Sequence, residues 1–166
     1  MNNMDRKVIL NYFAYGSNMN PARMKDRGVM FYSRELLILS GYSLKFHKIS
    51  RSSPNTGVAS IVPDESGVVQ GILYKVTWAG IRNLDKYESY PTEYDRVKLK
   101  VAHNGTEIEI MTYTAHPHKT RDGLKPARDY LNHLMAAGDI LSQDYFDQLR
   151  ASGTADWKVH LESKSI

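Results

Sequence analysis

The turn that follows the first predicted strand carries groups that could bind an anion. It consists of the tetrapeptide Tyr15-Gly16-Ser17-Asn18, which stands between the strand-like segment 8–13 and a short predicted helix. Glycine at such a junction lets backbone N–H groups turn outward together, which suits a carboxylate or a developing oxyanion. The Asn18 amide can both donate and accept hydrogen bonds. Taken alone, the same residues are more typical of a tight turn closed by an Asx-type hydrogen bond.

A glutamate further along the chain combines a helical position with a carboxylate. Ile81, Leu84 and Glu88 recur at i, i+3 and i+7, so Glu88 shares the face of a predicted helix that should be buried. Desolvation raises the pKa of a carboxyl group toward neutrality, as a general acid/base requires. The alternative is a glutamate at the helix end that extends to solvent. Asp85 lies off this face, and Glu93 falls in a predicted loop.

Other catalytic patterns are missing from the sequence. Cysteine is absent, which excludes disulfides, thiol nucleophiles and thiolate zinc sites. Neither a dinucleotide-binding nor a P-loop glycine motif occurs, and Ser17 is not in a nucleophile elbow. His116-Pro117-His118 is predicted to be an exposed loop, because proline prevents a helical pair of histidine ligands. We therefore expect neither a metal nor a cofactor.

Length and composition predict one globular domain that covers residues 1–166. Apolar residues make up 42% and charged residues 24% of the chain, as in ordinary globular proteins. The 22 Lys and Arg against 18 Asp and Glu are scattered singly, which predicts a solvated surface rather than a nucleic-acid site. No secretory or membrane-spanning apolar segment occurs, so we expect a cytoplasmic protein without a membrane partner. The sequence leaves a homodimer open, and it leaves Trp157 either packed on a barrel or free for a partner.

The elements that must position these residues are mostly strands. Strand patterns occur at 35–49 (with a break at Gly41), 58–62, 68–76, 97–101 and 107–114, the last two joined by an Asn-Gly hairpin turn. Helical patterns begin at Asn20-Pro21, near Ile81, after Pro126 and after Ser142. This order predicts an α+β fold, with a small mixed, mostly antiparallel β-barrel flanked by α-helices.

Several segments, in this order and at this spacing, resemble the γ-glutamylcyclotransferase family, which has the AIG2-like or BtrG-like fold. The segments are Phe13-Ala14-Tyr15-Gly16-Ser17-Asn18-Met19-Asn20-Pro21, Leu84-Asp85-Lys86-Tyr87-Glu88 and Tyr90-Pro91-Thr92-Glu93-Tyr94-Asp95-Arg96. Family-like counterparts also occur at 57–63, 71–74 and 127–131, so the resemblance extends over residues 11–150. One position departs from the family pattern: Ser89 follows Glu88 where the family usually has glycine.

The resemblance implies a small-molecule enzyme of the acyltransferase or lyase type, with a role in glutathione metabolism. Its reaction converts a γ-glutamyl amide to 5-oxoproline and a free amine without a cofactor. By position, Glu88 matches the catalytic acid/base. The substrate-binding residues are expected to be Tyr15, Gly16, Ser17, Asn18, Tyr94 and Tyr113.

The sequence leaves other interpretations open. The same fold could remove a γ-glutamyl group from an antibiotic precursor, a polyamine or an isopeptide, although the Tyr-Gly-Ser-Asn form is more similar to the cyclotransferases of amino acids. A non-catalytic module that binds a small carboxylate ligand is a second class. A nucleic-acid-binding barrel is a third.

Overall fold

The computed structural model describes residues 3–4 and 8–155, which form five strands and four helices. The strands are β1 (Ile9–Ala14), β2 (Phe31–Ile49), β3 (Gly57–Thr77), β4 (Tyr94–His103) and β5 (Thr106–Ala115). The helices are α1 (Pro21–Asp26), α2 (Trp78–Glu88), α3 (Arg128–Met135) and α4 (Gln143–Arg150). A 3-10 turn at Ser17–Met19 links β1 to α1. Trp157 lies outside the described residues.

The strands form one sheet in the order β2-β3-β1-β5-β4, in which only β1 and β5 pair in parallel. This confirms the α+β class and the mostly antiparallel sheet. The predicted closure into a barrel is wrong, because within residues 8–155 no ladder joins the edge strands β2 and β4. Lys98 and Lys100 are exposed on β4, and charges on an edge strand oppose further pairing. His103 of β4 contacts Glu35 of β2 through side chains alone, at 3.4 Å.

The long strands β2 and β3 form a bent ribbon. Their register shifts between Ser40 and Tyr42, where the four residues 64–67 of β3 have no partners on β2. Gly41 lies at this shift with a φ of +85°, which glycine adopts without steric cost. The predicted break at Gly41 is therefore a bulge, and the predicted strands 58–62 and 68–76 are two halves of one strand.

Helix α2 has the buried face that its sequence pattern predicts. Ile81 and Leu84 are completely buried in the core, and Glu88 is the last residue of the helix. Ser89 ends the helix in the left-handed region, with φ 51° and ψ 47°. The Glu88 carboxylate therefore stands at the end of α2, one helical turn beyond the buried Leu84.

Predicted helix caps are present at two other helices. Asn20 Oδ1 accepts the backbone N–H of Ala22 at 3.0 Å, and Ser142 Oγ accepts that of Tyr145 at 3.2 Å. These caps fix the first turns of α1 and α4. Among the described residues, no helix has the length and apolar character needed to cross a bilayer.

Strand β1 separates two apolar clusters by its alternation of side chains. Tyr12 and Ala14 pack in the cluster that includes the buried residues of α2, whereas Phe13 belongs to the cluster on the other face. Tyr15, just beyond the strand, continues the second cluster. The end of β1 therefore packs on both of its faces, and this packing fixes the position of the turn that follows.

Candidate active site

A cavity of about 740 Å³ opens between the end of β1, the last turn of α2, the β2–β3 connection and α3. Its wall contains every residue that the sequence analysis assigned to the site: Tyr15, Gly16, Ser17, Asn18, Glu88, Tyr94 and Tyr113. The volume is in the range of cavities that take small-molecule ligands. Residues distant in sequence are therefore brought to one concave surface.

Glu88 is joined to the turn after β1 by direct hydrogen bonding. Asn18 Nδ2 donates to Glu88 Oε1 at 3.1 Å and also lies 2.9 Å from the hydroxyl of Tyr12. The other side of the amide, Asn18 Oδ1, accepts from Arg27 Nη1 at 2.7 Å. Arg27 Nη1 in turn lies 3.7 Å from Glu88 Oε1. Asn18, Arg27 and Glu88 therefore form a closed polar triangle.

The Glu88 carboxyl group has an environment that makes it a better proton acceptor than a solvated glutamate. Its side chain is 17% exposed, at the cavity surface. Burial raises the pKa of Glu88, and the charge of Arg27 together with the Asn18 hydrogen bond opposes this rise without cancelling it. The carboxylate is partly desolvated and partly neutralised, as a group that exchanges protons with a bound ligand requires.

Gly16 lies where the cavity wall is closest to α3. A Cβ atom at this position would stand 3.0 Å from the Tyr130 hydroxyl and 3.3 Å from Ala59 Cβ, so any side chain would press on the wall. The backbone N–H of Ala59 donates to the Tyr130 hydroxyl at 2.9 Å. Tyr130 of α3 therefore lies against the glycine turn and is bonded to the backbone of β3.

The three assigned tyrosines form the floor of the cavity through hydrogen bonds to the backbone or to α2. Tyr15 donates its hydroxyl proton to the carbonyl oxygen of Tyr113, and Tyr94 donates to that of Ala59 at 2.8 Å. The Tyr113 hydroxyl donates to Asp85 Oδ1 at 2.7 Å. Burial raises the pKa of Tyr15, Tyr94 and Tyr113, so all three phenols stay neutral.

Sequence reasoning missed an ion cluster opposite the glycine turn. Glu93, which the sequence placed in a loop, is only 7% exposed and borders the cavity. Its Oε1 lies 3.1 Å from Lys48 Nζ and 3.8 Å from Arg51 Nε, and its Oε2 lies 3.0 Å from Lys119 Nζ. The position of Lys48 in the strand pattern of β2 could have predicted this cluster. A lysine is rarely buried without a partner, so a buried Lys48 requires an acidic residue nearby.

Arg23 and His133 were also missed, and they line the cavity beside Arg27. Arg23 Nη1 lies 2.9 Å from His133 Nε2, and since arginine is always a donor, the histidine nitrogen must accept. Burial, followed by the charges of Arg23 and Arg27, lowers the pKa of His133. The histidine is therefore neutral, and the arginines supply the positive charge of this wall. The spacing of Arg23 and Arg27 by about one helical turn could have predicted that the two guanidinium groups lie on the same side of the chain.

Ser89 connects the end of α2 to the β2–β3 connection. Its hydroxyl accepts a hydrogen bond from Arg51 Nη1, and both residues border the cavity. The left-handed conformation of Ser89 is one that glycine adopts more easily than a residue with a side chain. This explains why glycine suits the position in the family pattern.

The fold and the cavity define a γ-glutamylcyclotransferase-like protein. Residues 12–132 match the model of the family described as "Gamma-glutamyl cyclotransferase, AIG2-like", and the chain belongs to this family. A solved structure described as "Gamma-glutamyl cyclotransferase" superposes with a TM-score of 0.78 at 24% identity, over 90% of each chain. The human protein LOC79017 superposes with a TM-score of 0.76 at 25% identity, over 89% of this chain and 90% of that chain.

A curated relative supports the same family. "Putative gamma-glutamylcyclotransferase YkqA" of Bacillus subtilis (strain 168) is 31% identical over 80 residues, which are 46% of this chain. The match spans only 27% of the length of that relative. It therefore concerns one part of a longer protein.

Proposed function

We propose that the protein is a γ-glutamylcyclotransferase that converts a γ-glutamyl amide to 5-oxoproline and a free amine, with Glu88 as the general acid/base. The observation that carries this proposal is the contact between Glu88 and Asn18 inside one cavity. It joins a partly desolvated carboxylate to the turn that the family resemblance assigns to the substrate. The membership of the family supports the reaction class.

The reaction needs no nucleophile from the protein. The α-amine of the substrate attacks its own γ-carbonyl carbon, so a five-membered ring forms and the bond from that carbon to the leaving amine breaks. Such intramolecular attack has a very large effective molarity, about 10⁵–10⁸ M for well-oriented groups. The protein therefore has to hold the substrate in the cyclising conformation and move one proton.

Glu88 carries that proton in two stages. The substrate reacts with its α-amine in the neutral form, which has the free lone pair. The Glu88 carboxylate accepts a proton from this nitrogen as the new bond to carbon forms, and it then donates that proton to the leaving nitrogen, which departs as a neutral amine. The raised pKa of Glu88 brings the acid and base forms closer in population near neutral pH. Asn18 and Arg27 fix the position of Oε1 during both transfers.

The remaining assigned residues bind and orient the substrate. Gly16 allows the backbone to approach the ligand, while Ser17 and Asn18 present the polar groups of the turn. A substrate oxyanion or carboxylate at this turn would lie near the Tyr130 hydroxyl, which is next to Gly16. Tyr94 and Tyr113 form the wall that excludes water.

Incubation of the purified protein with a panel of γ-glutamyl amides tests the proposal. The panel contains γ-glutamyl amino acids, a γ-glutamyl polyamine and γ-glutamyl-lysine isopeptide, and 5-oxoproline is measured by mass spectrometry. Release of 5-oxoproline with an equal amount of free amine supports the proposal. Ligand binding without any 5-oxoproline would contradict it, and would indicate the non-catalytic binding module instead.

A further inference from the structure

The part of the cavity around Glu93 has an excess of positive charge. Three cationic side chains, those of Lys48, Arg51 and Lys119, lie within 3.8 Å of this one carboxylate. Burial would raise the pKa of Glu93, but the ammonium groups of Lys119 and Lys48, 3.0 and 3.1 Å from its two oxygens, outweigh burial and lower it, so the carboxylate is ionised at neutral pH. After this compensation, two positive charges remain at this end of the cavity.

Arg51 is the cation of this cluster that can reach a ligand. Lys48 is 3% exposed and also donates to the carbonyl oxygen of Ile49 at 2.8 Å, so its ammonium group is already committed. The Arg51 side chain is 69% exposed and borders the cavity, and its described partners are the Ser89 hydroxyl and a distant Glu93 oxygen. A guanidinium group has five N–H donors, so several remain available.

Ser89 holds Arg51 next to the reacting group. It follows Glu88 directly in the chain, and its side chain accepts from Arg51 while its backbone is left-handed. A non-glycine residue in this conformation has a conformational cost that glycine would avoid. Serine supplies the hydroxyl group that accepts the hydrogen bond from Arg51, and glycine has no side chain to do so.

The position of Arg51 matches the amine part of a substrate. The glutamyl part is assigned to the turn at residues 15–18, so the amine part extends into the rest of the cavity beyond Glu88. There the wall is formed by the β2–β3 connection, whose cavity residues are polar: Ser50, Arg51, Ser52, Ser53 and Thr56. Arginine pairs with a carboxylate through two parallel hydrogen bonds, and excess positive charge repels a cationic group.

We propose that Arg51, positioned by Ser89, binds a carboxylate on the amine part of the substrate, so that the enzyme selects γ-glutamyl amides with an anionic leaving group. The inference rests on the proposed function. It distinguishes a γ-glutamyl amino acid from a γ-glutamyl polyamine, which would carry its positive charge toward Arg51 and the Glu93 cluster.

Steady-state kinetics with three substrates tests the proposal. γ-Glutamyl-alanine has the carboxylate, γ-glutamyl-alaninamide is its neutral analogue, and γ-glutamyl-putrescine is cationic. The native enzyme is expected to have a KM about tenfold lower for the first than for the second, as one charge-assisted hydrogen-bonded contact provides. The cationic substrate is expected to have the highest KM of the three.

Variants of Arg51 separate binding from chemistry. Arg51→Ala is expected to raise KM for γ-glutamyl-alanine about tenfold while kcat, and both constants for the neutral analogue, stay the same. Arg51→Lys keeps the charge but not the fork, so it is expected to retain part of the preference. Arg150→Ala, an exposed arginine on α4 that does not border the cavity, is the matched control and should change nothing. An unchanged KM ratio in Arg51→Ala would overturn the proposal.

Ser89→Gly tests whether the serine acts through Arg51. Glycine suits the left-handed backbone, so the variant should fold, and its KM for γ-glutamyl-alanine is expected to rise severalfold. In the double variant with Arg51→Ala, the second substitution should add nothing, since the two residues form one interaction. Additive effects would show that Ser89 does not position Arg51.

Binding measurements keep this inference separate from the proposed function. Calorimetry on Glu88→Gln compares the affinities for γ-glutamyl-alanine and γ-glutamyl-alaninamide without turnover, with and without Arg51→Ala. If the native protein releases no 5-oxoproline from any substrate, the proposed function fails. A preference for the carboxylate that depends on Arg51 would then still support this site. Turnover with equal affinity for the two ligands would overturn the site and leave the function intact.

Discussion

Asn18 donates a hydrogen bond to Glu88 from 70 residues away in the chain, at 3.1 Å between Nδ2 and Oε1. The same amide accepts from Arg27 at 2.7 Å, so its orientation is fixed by a residue that is always a donor. The contact holds the carboxylate at the turn that would bind the substrate.

The Glu88 carboxyl group is the first target for substitution. Glu88→Gln keeps the size of the side chain and its acceptor for Asn18, but it removes the proton acceptor. We expect kcat to fall by about 10²–10⁴-fold, the usual contribution of general acid–base catalysis, while substrate still binds. The measurement is 5-oxoproline release, with calorimetry for binding. Glu109→Gln, a substitution on the half-exposed surface of β5, is the control, and retained turnover in Glu88→Gln would refute the assignment.

Arg27 sets the pH dependence of the reaction through Glu88. Burial raises the pKa of Glu88, and Arg27 is the strongest influence that lowers it. Arg27→Gln is therefore expected to raise this pKa further, which moves the acidic limb of kcat/KM to higher pH. Activity in the variant should fall most on the acidic side of the profile and recover as pH rises. Arg27→Lys keeps a positive charge and should move the limb less, whereas an unchanged profile in Arg27→Gln would contradict the argument.

Glycine is required at position 16 because the hydroxyl of Tyr130 on α3 leaves no room for a side chain. Gly16→Ala places a methyl group 3.0 Å from the Tyr130 hydroxyl and is expected to displace the turn or the tyrosine. Misplacement of about 1 Å costs up to about 10²-fold in rate, so kcat/KM should fall by up to that factor. Adding Tyr130→Phe removes the nearest atom and should restore part of the loss. Full activity in Gly16→Ala alone would show that the turn has room for a side chain.

The Lys48–Glu93 pair contributes to stability. Glu93→Gln leaves Lys48, which is 3% exposed, without a buried counter-charge, and we expect a loss of about 3 kcal/mol in the free energy of unfolding. Urea denaturation measures this loss. Glu109→Gln breaks a solvent-exposed pair with Lys98 and should cost less than about 1 kcal/mol. Equal effects of the two substitutions would contradict the buried character of the Glu93 cluster.

The two glutamates that border the cavity, Glu88 and Glu93, are expected to change stability with pH in opposite directions. The folded-state pKa of Glu93 is lowered, so its stabilisation is present above the unfolded-state pKa and is lost as pH falls through the folded value. The folded-state pKa of Glu88 is raised, so the folded state binds more protons and stability falls as pH rises through that value. Glu88→Gln should therefore melt at a higher temperature than the native protein at neutral pH, and this gain should shrink in acid. Melting curves across pH test both signs.

Local features of the fold could be predicted from the sequence because they depend on neighbouring residues. The burial of Ile81 and Leu84 follows from helical periodicity, and the caps at Asn20 and Ser142 follow from single side chains next to their own helices. The meeting of Glu88 with the turn at residues 15–18 was accessible only through the family resemblance. Nothing in either segment alone specifies the other.

The strand order of the sheet and the burial of the charged residues of the site could not be predicted from local sequence. The order of the strands, with β2 and β4 at opposite edges, depends on which long-range pairs form, and alternation along one strand does not determine its neighbours. Arg27, Lys48 and Glu93 looked like solvated surface charges in the sequence. Their side chains are in fact 11%, 3% and 10% exposed.

The sequence by itself determined most of the strands and helices, the caps at Asn20 and Ser142, and the family. These depend on the local spacing of residues and on short motifs. Only the tertiary structure decided that charged side chains line the cavity, that Arg51 and Ser89 meet at its edge, and that Tyr130 reaches the glycine turn. The physical reason is that burial and electrostatic partners are properties of the surrounding volume. Residues from five strands and three helices line the cavity, and no one segment encodes it.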